Sequence, residues 1–113
     1  MQSSFTPGFD PTKIFAELES RATAYAKAQA LYDSLDSHTK PFLAKLTLRF
    51  LDGECKSRVE AETYALASDE YDVHLNGVSK ARETSIATRA AYNNALKLAD
   101  LRTTQEASAR TYF

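Results

Sequence analysis

The sequence predicts an all-α protein: a helical hairpin or bundle with a long, coiled-coil-like C-terminal helix that pairs into a dimer. Only three glycines and three prolines occur in 113 residues, whereas an all-β fold needs turn-forming residues about every 8–12 positions. Alanine, glutamate, lysine, arginine and leucine are abundant, and these residues favour helix. Apolar side chains also recur at spacings of three and four residues, which is the period of an amphipathic helix.

Length and composition predict one domain, residues 1–113, in a reducing, cytoplasmic setting. Charged residues make up 26% and hydrophobic residues 43% of the chain, as in ordinary soluble globular proteins. No stretch approaches the roughly 20 apolar residues of a membrane span, and the first residues lack the pattern of a secretory signal. The single cysteine, Cys55, excludes an internal disulfide framework and a paired-cysteine metal site.

The N-terminal third predicts an irregular arm followed by a long helix over residues 10–36. Residues 1–9 form the arm, in which Phe5 and Phe9 would dock onto the body. Asp10 and Pro11 predict a helix start, because aspartate caps free backbone N–H groups and proline fits the first helical position. The helix then carries a stripe of period near 3.5, formed by Ile14, Leu18, Tyr25, Ala28, Tyr32 and Leu35.

The middle of the chain predicts two short helices, over residues 40–52 and 57–67. The alternation at 46–50 also fits a strand, but helix is favoured because a lone strand leaves its backbone groups unpaired. Gly53 would end the first helix in a left-handed cap. Ser57 and Glu60 have the spacing of a capping box that starts the second.

The C-terminal segment predicts one long helix over residues 69–110. Asn76-Gly77 is its only interruption, and either a true break or a kink at 76–77 fits the sequence, since glycine costs about 1 kcal/mol within a helix. One stripe alternates spacings of four and three: Tyr71, Leu75, Val78, Arg82, Ser85, Arg89, Tyr92, Leu96 and Ala99.

The length of this helix is the argument for self-association. A continuous helix of about 40 residues is roughly 60 Å long, whereas a compact domain of this size has a radius of gyration near 13 Å. The helix over 10–36 spans only about 40 Å, so a second copy is predicted to cover the rest, parallel or antiparallel. The predicted self-association residues are Tyr71, Leu75, Val78, Ile86, Tyr92 and Leu96.

No constellation of residues predicts catalysis, a metal site or a cofactor. The sequence has no glycine-rich phosphate loop, no nucleophile elbow and no zinc-protease motif. Asp33, Asp36 and His38 have the residue types of metal ligands, but a solvated turn is the favoured interpretation. Glu70 and His74 are four apart, which predicts a surface contact and not a catalytic pair.

Charge distribution supports an alternative role in nucleic-acid binding. Residues 1–77 carry 8 Lys/Arg against 12 Asp/Glu, and residues 78–113 carry 6 against 3. Phosphate contacts need such cations, and the possible contacts are Arg82, Arg89, Arg102 and Arg110. A solvated helix face is the favoured interpretation of these arginines. The acidic N-terminal part also raises a third alternative, a mimic of DNA, which the near-neutral total charge disfavours.

Several short motifs over roughly residues 40–110 resemble a set of small phage-encoded helical proteins. The motifs are Lys40-Pro41, Ala61-Glu62, "ALASDEY" (65–71), "HLNG" (74–77), "KARE" (80–83), "RAAY" (89–92) and "LRTTQEASAR" (101–110). In the family a segment like "AxASxEYxxHLEG" precedes an Arg/Ala-rich helix with an "LRRTxEA"-like tail. This chain has Arg102-Thr103 where the family has two arginines, which weakens a basic contact by the tail.

The resemblance implies a context among phage recombination and early genes. Together with the absence of a catalytic motif, it predicts a non-enzymatic interaction module in the host cytoplasm. Its partners would be itself, as a homodimer, and a phage or host protein, as an adaptor or inhibitor of a DNA-processing or host defence factor. The alternative is an accessory nucleic-acid-binding protein in phage recombination.

Overall fold

A computed structural model describes the backbone of residues 10–111 and the side chains of residues 10–105. Within that range the chain forms helices and no strand: α1 (Pro11–Ser37), α2 (Thr39–Asp52), α3 (Arg58–Leu66) and α4 (Asp69–Thr111). The all-α class with a long C-terminal helix is therefore confirmed. The predicted arm over 1–9, with Phe5 and Phe9, lies outside the described residues.

Side-chain caps set the starts of α1 and α3. The carboxylate of Asp10 accepts hydrogen bonds from the backbone N–H groups of Thr12, at 3.0 Å, and Lys13, at 3.4 Å. The hydroxyl of Ser57 accepts one from the N–H of Glu60 at 3.2 Å. Each cap satisfies N–H groups that have no partner within the helix, and the helices begin directly after the two capping residues, at Pro11 and Arg58.

The end of α2 differs from the prediction. Gly53 has φ −100°, so the predicted left-handed cap is wrong. The backbone N–H groups of Gly53 and Cys55 both donate to the carbonyl oxygen of Phe50, at 3.2 and 3.1 Å. These two bonds satisfy a terminal carbonyl of α2 without a left-handed residue.

Helix α4 is continuous through Asn76-Gly77 and contains 43 residues, so the predicted alternative of a true break is wrong. Ser68 caps its start, with its hydroxyl accepting from the N–H of Tyr71 at 3.2 Å. Asp69 and Glu70 lie in the first turn, where negative charge favours the helix dipole. A side chain at Gly77 would meet nothing within 4 Å, so no close approach explains this glycine.

The chain divides into two compact units. We call residues 28–85 the central unit, and residues 1–27 with 86–113 the terminal unit. Each contains part of α1 and part of α4. The prediction of a single domain stays a prediction.

The central unit has a small core built largely from small side chains. Ala61 and Ala65 of α3 are fully buried, and Leu46 of α2 is 3% exposed. The rings of Phe50 and Tyr64 lie 6.0 Å apart and link α2 to α3. The buried residues of this unit are Ala28, Leu46, Thr47, Cys55, Ala61, Ala65, Ala81 and Ser85.

The terminal unit pairs the first turns of α1 with the C-terminal half of α4. The rings of Tyr25 and Tyr92 stack at 6.5 Å, and Ile14 and Leu18 line a small cavity with Ala95, Leu98, Ala99 and Arg102. Because the earlier residues of α1 face the later residues of α4, the two segments are antiparallel. Among the described residues of this unit, none is buried.

Candidate interaction surfaces

The protected side of α4 follows the predicted period with a shifted phase. Its buried and half-buried residues include a stripe at alternating spacings of three and four: Tyr71, His74, Val78, Ala81, Ser85, Thr88, Tyr92, Ala95 and Ala99. The predicted stripe and this protected stripe have every second residue in common. The other residues of the predicted stripe each lie one position after a protected residue and are exposed: Leu75, Arg82, Arg89 and Leu96. These four residues therefore lie outside the face of α4 that the chain itself protects, and their part in an interaction surface stays a prediction. Small side chains at most of the intervening protected positions allow the helices of one chain to approach closely.

The predicted self-association residues divide into two groups. Tyr71, Val78 and Tyr92 are half-buried by their own chain. Leu75, Ile86 and Leu96 are 38%, 58% and 37% exposed. Only the second group offers substantial apolar surface to another molecule, and its role in self-association stays a prediction.

Two polar contacts inside the central unit join α4 to the preceding helices. The hydroxyl of Ser85 donates to Oε1 of Gln29 at 2.7 Å, and Nε2 of Gln29 donates to Asp33 at 3.0 Å. His74 Nε2 and the hydroxyl of Thr39 lie 2.8 Å apart. These bonds satisfy groups that would cost free energy if they were buried without partners.

His74 does not form the predicted surface contact with Glu70. Its ring stacks on Phe42 with centroids 4.8 Å apart, and Glu70 forms an ion pair with Arg49 of α2. Sequence spacing missed both contacts because their partners come from other helices. His74 lies three residues after Tyr71 and four before Val78, and this helical spacing was the signal in the sequence that His74 faces another helix.

The arginines proposed for nucleic-acid contact are differently placed. Arg82 and Arg89 are exposed. Arg102 is exposed overall, yet it lines the cavity beside Leu18 and has a contact of its own. The side chain of Arg110 lies outside the described residues. A nucleic-acid contact by these residues stays a prediction.

Among the described residues, no group of three or more His, Cys, Asp and Glu side chains is placed to hold a metal ion. Burial, and then the carboxylates of Glu60 and Glu54, raise the pKa of the Cys55 thiol, so this group is a poor nucleophile near neutral pH. None of the described helices combines the length and apolar character needed to cross a membrane.

A groove of about 330 Å³ lies between α2 and α3 in the central unit. Its apolar lining comes mainly from Leu43, Leu48 and Leu51, and Leu48 is 60% exposed. The hydroxyl of Thr47, which also lines the groove, is already bonded to the carbonyl of Leu43 at 2.8 Å. The charged residues Lys40, Arg58 and Glu62 complete the lining of the groove.

Comparisons with protein-family models, curated proteins and solved structures find no match to this chain. Two surfaces of the described residues offer apolar contacts to another molecule: the exposed apolar side chains of the terminal unit and the groove of the central unit.

Proposed function

We propose that the protein is a non-enzymatic interaction module that self-associates through its terminal unit. The observation that carries this proposal is the burial pattern: every buried residue described belongs to the central unit, and none to the terminal unit. Helical structure draws most of its stability from packing an apolar face. A pair of helical segments without a buried residue therefore gains stability when another molecule covers it.

Exposed side chains on both helices of the terminal unit supply the surface. Phe15 is 71%, Ile86 58%, Leu98 55% and Leu101 53% exposed. Full burial of such a side chain contributes roughly 1.5–3 kcal/mol, so covering the exposed half contributes about 1 kcal/mol for each. Four such side chains on each of two protomers contribute about 8 kcal/mol, which exceeds the cost of association of at least roughly 4 kcal/mol. We therefore expect a weak dimer whose population rises with protein concentration.

A second copy of the chain is the simplest partner for this surface. A two-fold dimer uses the same patch on both protomers. Each exposed side chain of the patch is therefore covered on both protomers, and its contribution counts twice in the dimer.

Sedimentation velocity over about 1–200 µM tests self-association directly. We expect the wild-type mass to rise with concentration from that of one chain toward that of two. Leu101→Asp should raise the dissociation constant at least about 30-fold, because one substitution removes about 1 kcal/mol of contact from each protomer. Val59→Asp is the matched control, since Val59 is 77% exposed in the central unit. A wild-type protein that stays monomeric at 200 µM would refute the proposal.

The resemblance of the sequence to small phage-encoded proteins supports the cellular setting we propose. In that setting the dimer acts in the host cytoplasm as an adaptor or inhibitor of a DNA-processing or host defence protein. Nucleic-acid binding through Arg82 and Arg89 is the competing explanation. Phosphate-driven binding weakens steeply with salt, so absence of DNA binding at about 50 mM salt would remove that competitor.

A further inference from the structure

The groove between α2 and α3 combines an apolar floor with a charged rim. Leu43, Leu48 and Leu51 form the floor. Lys40, Arg58 and Glu62 line the same groove. Its volume of about 330 Å³ lies at the small end of pockets that bind ligands, roughly 300–1,000 Å³.

The rim has an excess of positive charge with no partner. Lys40 and Arg58 are both exposed, and over residues 10–105 no ion pair engages either of them or Glu62. Arg49, the neighbouring cation on α2, is already paired with Glu70. Because two cations and one carboxylate line the rim, its net charge is positive. A ligand that combines apolar side chains with negative charges is therefore complementary to the groove.

The apolar surface continues beyond the groove along α3. Val59 and Leu66 are 77% and 47% exposed, and spacings of three and four residues place them on the same side of α3 as Glu62. A small amphiphile would fill the groove and leave these side chains in water. A helix laid across α2 and α3 would cover the groove and the added surface together.

We propose that this groove is the docking site for an acidic amphipathic helix of a partner protein. The apolar side chains of that helix, spaced at i, i+3, i+4 and i+7, insert between α2 and α3, and its carboxylates lie beside Lys40 and Arg58. This inference rests on the proposed function as an interaction module, because it places the second partner on a surface separate from the dimer contact.

A designed peptide pair tests the proposal on the full chain. The probe is a fluorescein-labelled helical peptide with four leucines at those spacings and glutamates on the flanks, and its matched control carries lysines in place of the glutamates. By fluorescence anisotropy at low salt, we expect the glutamate peptide to bind at least about tenfold more tightly. Its affinity should fall as salt screens the exposed charges.

Substitutions separate this site from the dimer contact. Leu48→Asp should weaken binding of the glutamate peptide at least about tenfold, whereas Leu101→Asp in the terminal unit should leave the affinity for the peptide unchanged. The pair Lys40→Glu with Arg58→Glu should reverse the preference toward the lysine peptide. Because these side chains are all exposed, circular dichroism should show unchanged folding. Failure of dimerisation with intact peptide binding would refute the proposed self-association alone.

Other outcomes overturn the docking proposal. Equal affinity for both peptides would show that Lys40 and Arg58 do not select an acidic helix. Binding that is unaffected by Leu48→Asp would show that the peptide binds outside the groove. Displacement of the peptide by decanoate at micromolar concentration would assign the groove to a small carboxylate amphiphile. Loss of the dimer in Leu48→Asp would assign it to a second copy of the chain.

Discussion

Gly77 offers a quantitative test of the continuous α4 helix. The glycine lies inside a helix of 43 residues, and a side chain added there would meet nothing within 4 Å. Glycine in a helix interior costs about 1 kcal/mol relative to alanine. Gly77→Ala should therefore stabilise the protein by roughly 0.5–1 kcal/mol, through helix propensity and a less flexible unfolded chain.

Urea unfolding followed by circular dichroism at 222 nm measures this change in the free energy of unfolding. Ala87→Gly is the matched control, because Ala87 is an exposed residue of the same helix. That control should destabilise the protein by a similar amount. If Gly77→Ala is neutral or destabilising while the control behaves as expected, the chain bends at Asn76-Gly77 or another molecule approaches the glycine closely, and a continuous unobstructed helix is refuted.

Three further predictions concern the central unit. Leu46→Ala should lower the free energy of unfolding in urea by about 2–5 kcal/mol, because Leu46 is 3% exposed. Leu48→Ala, at an exposed site, should lower it by less than about 0.5 kcal/mol. Equal effects of the two substitutions would contradict the burial of Leu46 in the core. Ser85→Ala should cost about 1 kcal/mol, because the Gln29 oxygen loses its donor at 2.7 Å; an unchanged midpoint would mean that the bond contributes nothing. Cys55 should react with a thiol reagent at pH 8 at least about tenfold more slowly in the folded chain than in urea. Because the pKa of this thiol is raised in the folded protein, the folded state holds the thiol proton more tightly than the unfolded state does. The free energy of unfolding should therefore fall as the pH rises above the ordinary thiol pKa of 9.0. Equal labelling rates, or a free energy of unfolding that does not change with pH, would contradict a buried thiol.

The helices were predictable from the sequence because local interactions set their ends. Asp10 and Ser57 cap backbone groups two or three residues away, and such spacing is visible in the sequence. The period near 3.5 in α4 was also visible. The intervening positions that the chain itself protects, which are His74, Ala81, Thr88 and Ala95, were not predicted, because Leu75 and Leu96 are more apolar than these residues.

Contacts between separate helices were beyond sequence reasoning. The bond between Thr39 and His74 joins residues 35 positions apart, and nothing in their local patterns specifies it. The prediction of a left-handed cap at Gly53 was wrong because the carbonyl oxygen of Phe50 accepts from the N–H groups of both Gly53 and Cys55, a loop geometry that the local sequence does not specify. The groove between α2 and α3 likewise appears only once the two helices are packed.

Concentration-dependent amide hydrogen exchange tests self-association through the terminal unit most directly. Exchange read by mass spectrometry at about 2 and 200 µM should show slower exchange at the higher concentration over residues 11–27 and 86–105. Peptides from residues 40–66 should exchange at the same rate at both concentrations. Identical exchange throughout the chain, together with a sedimentation mass that stays at 12.6 kDa, would contradict the account.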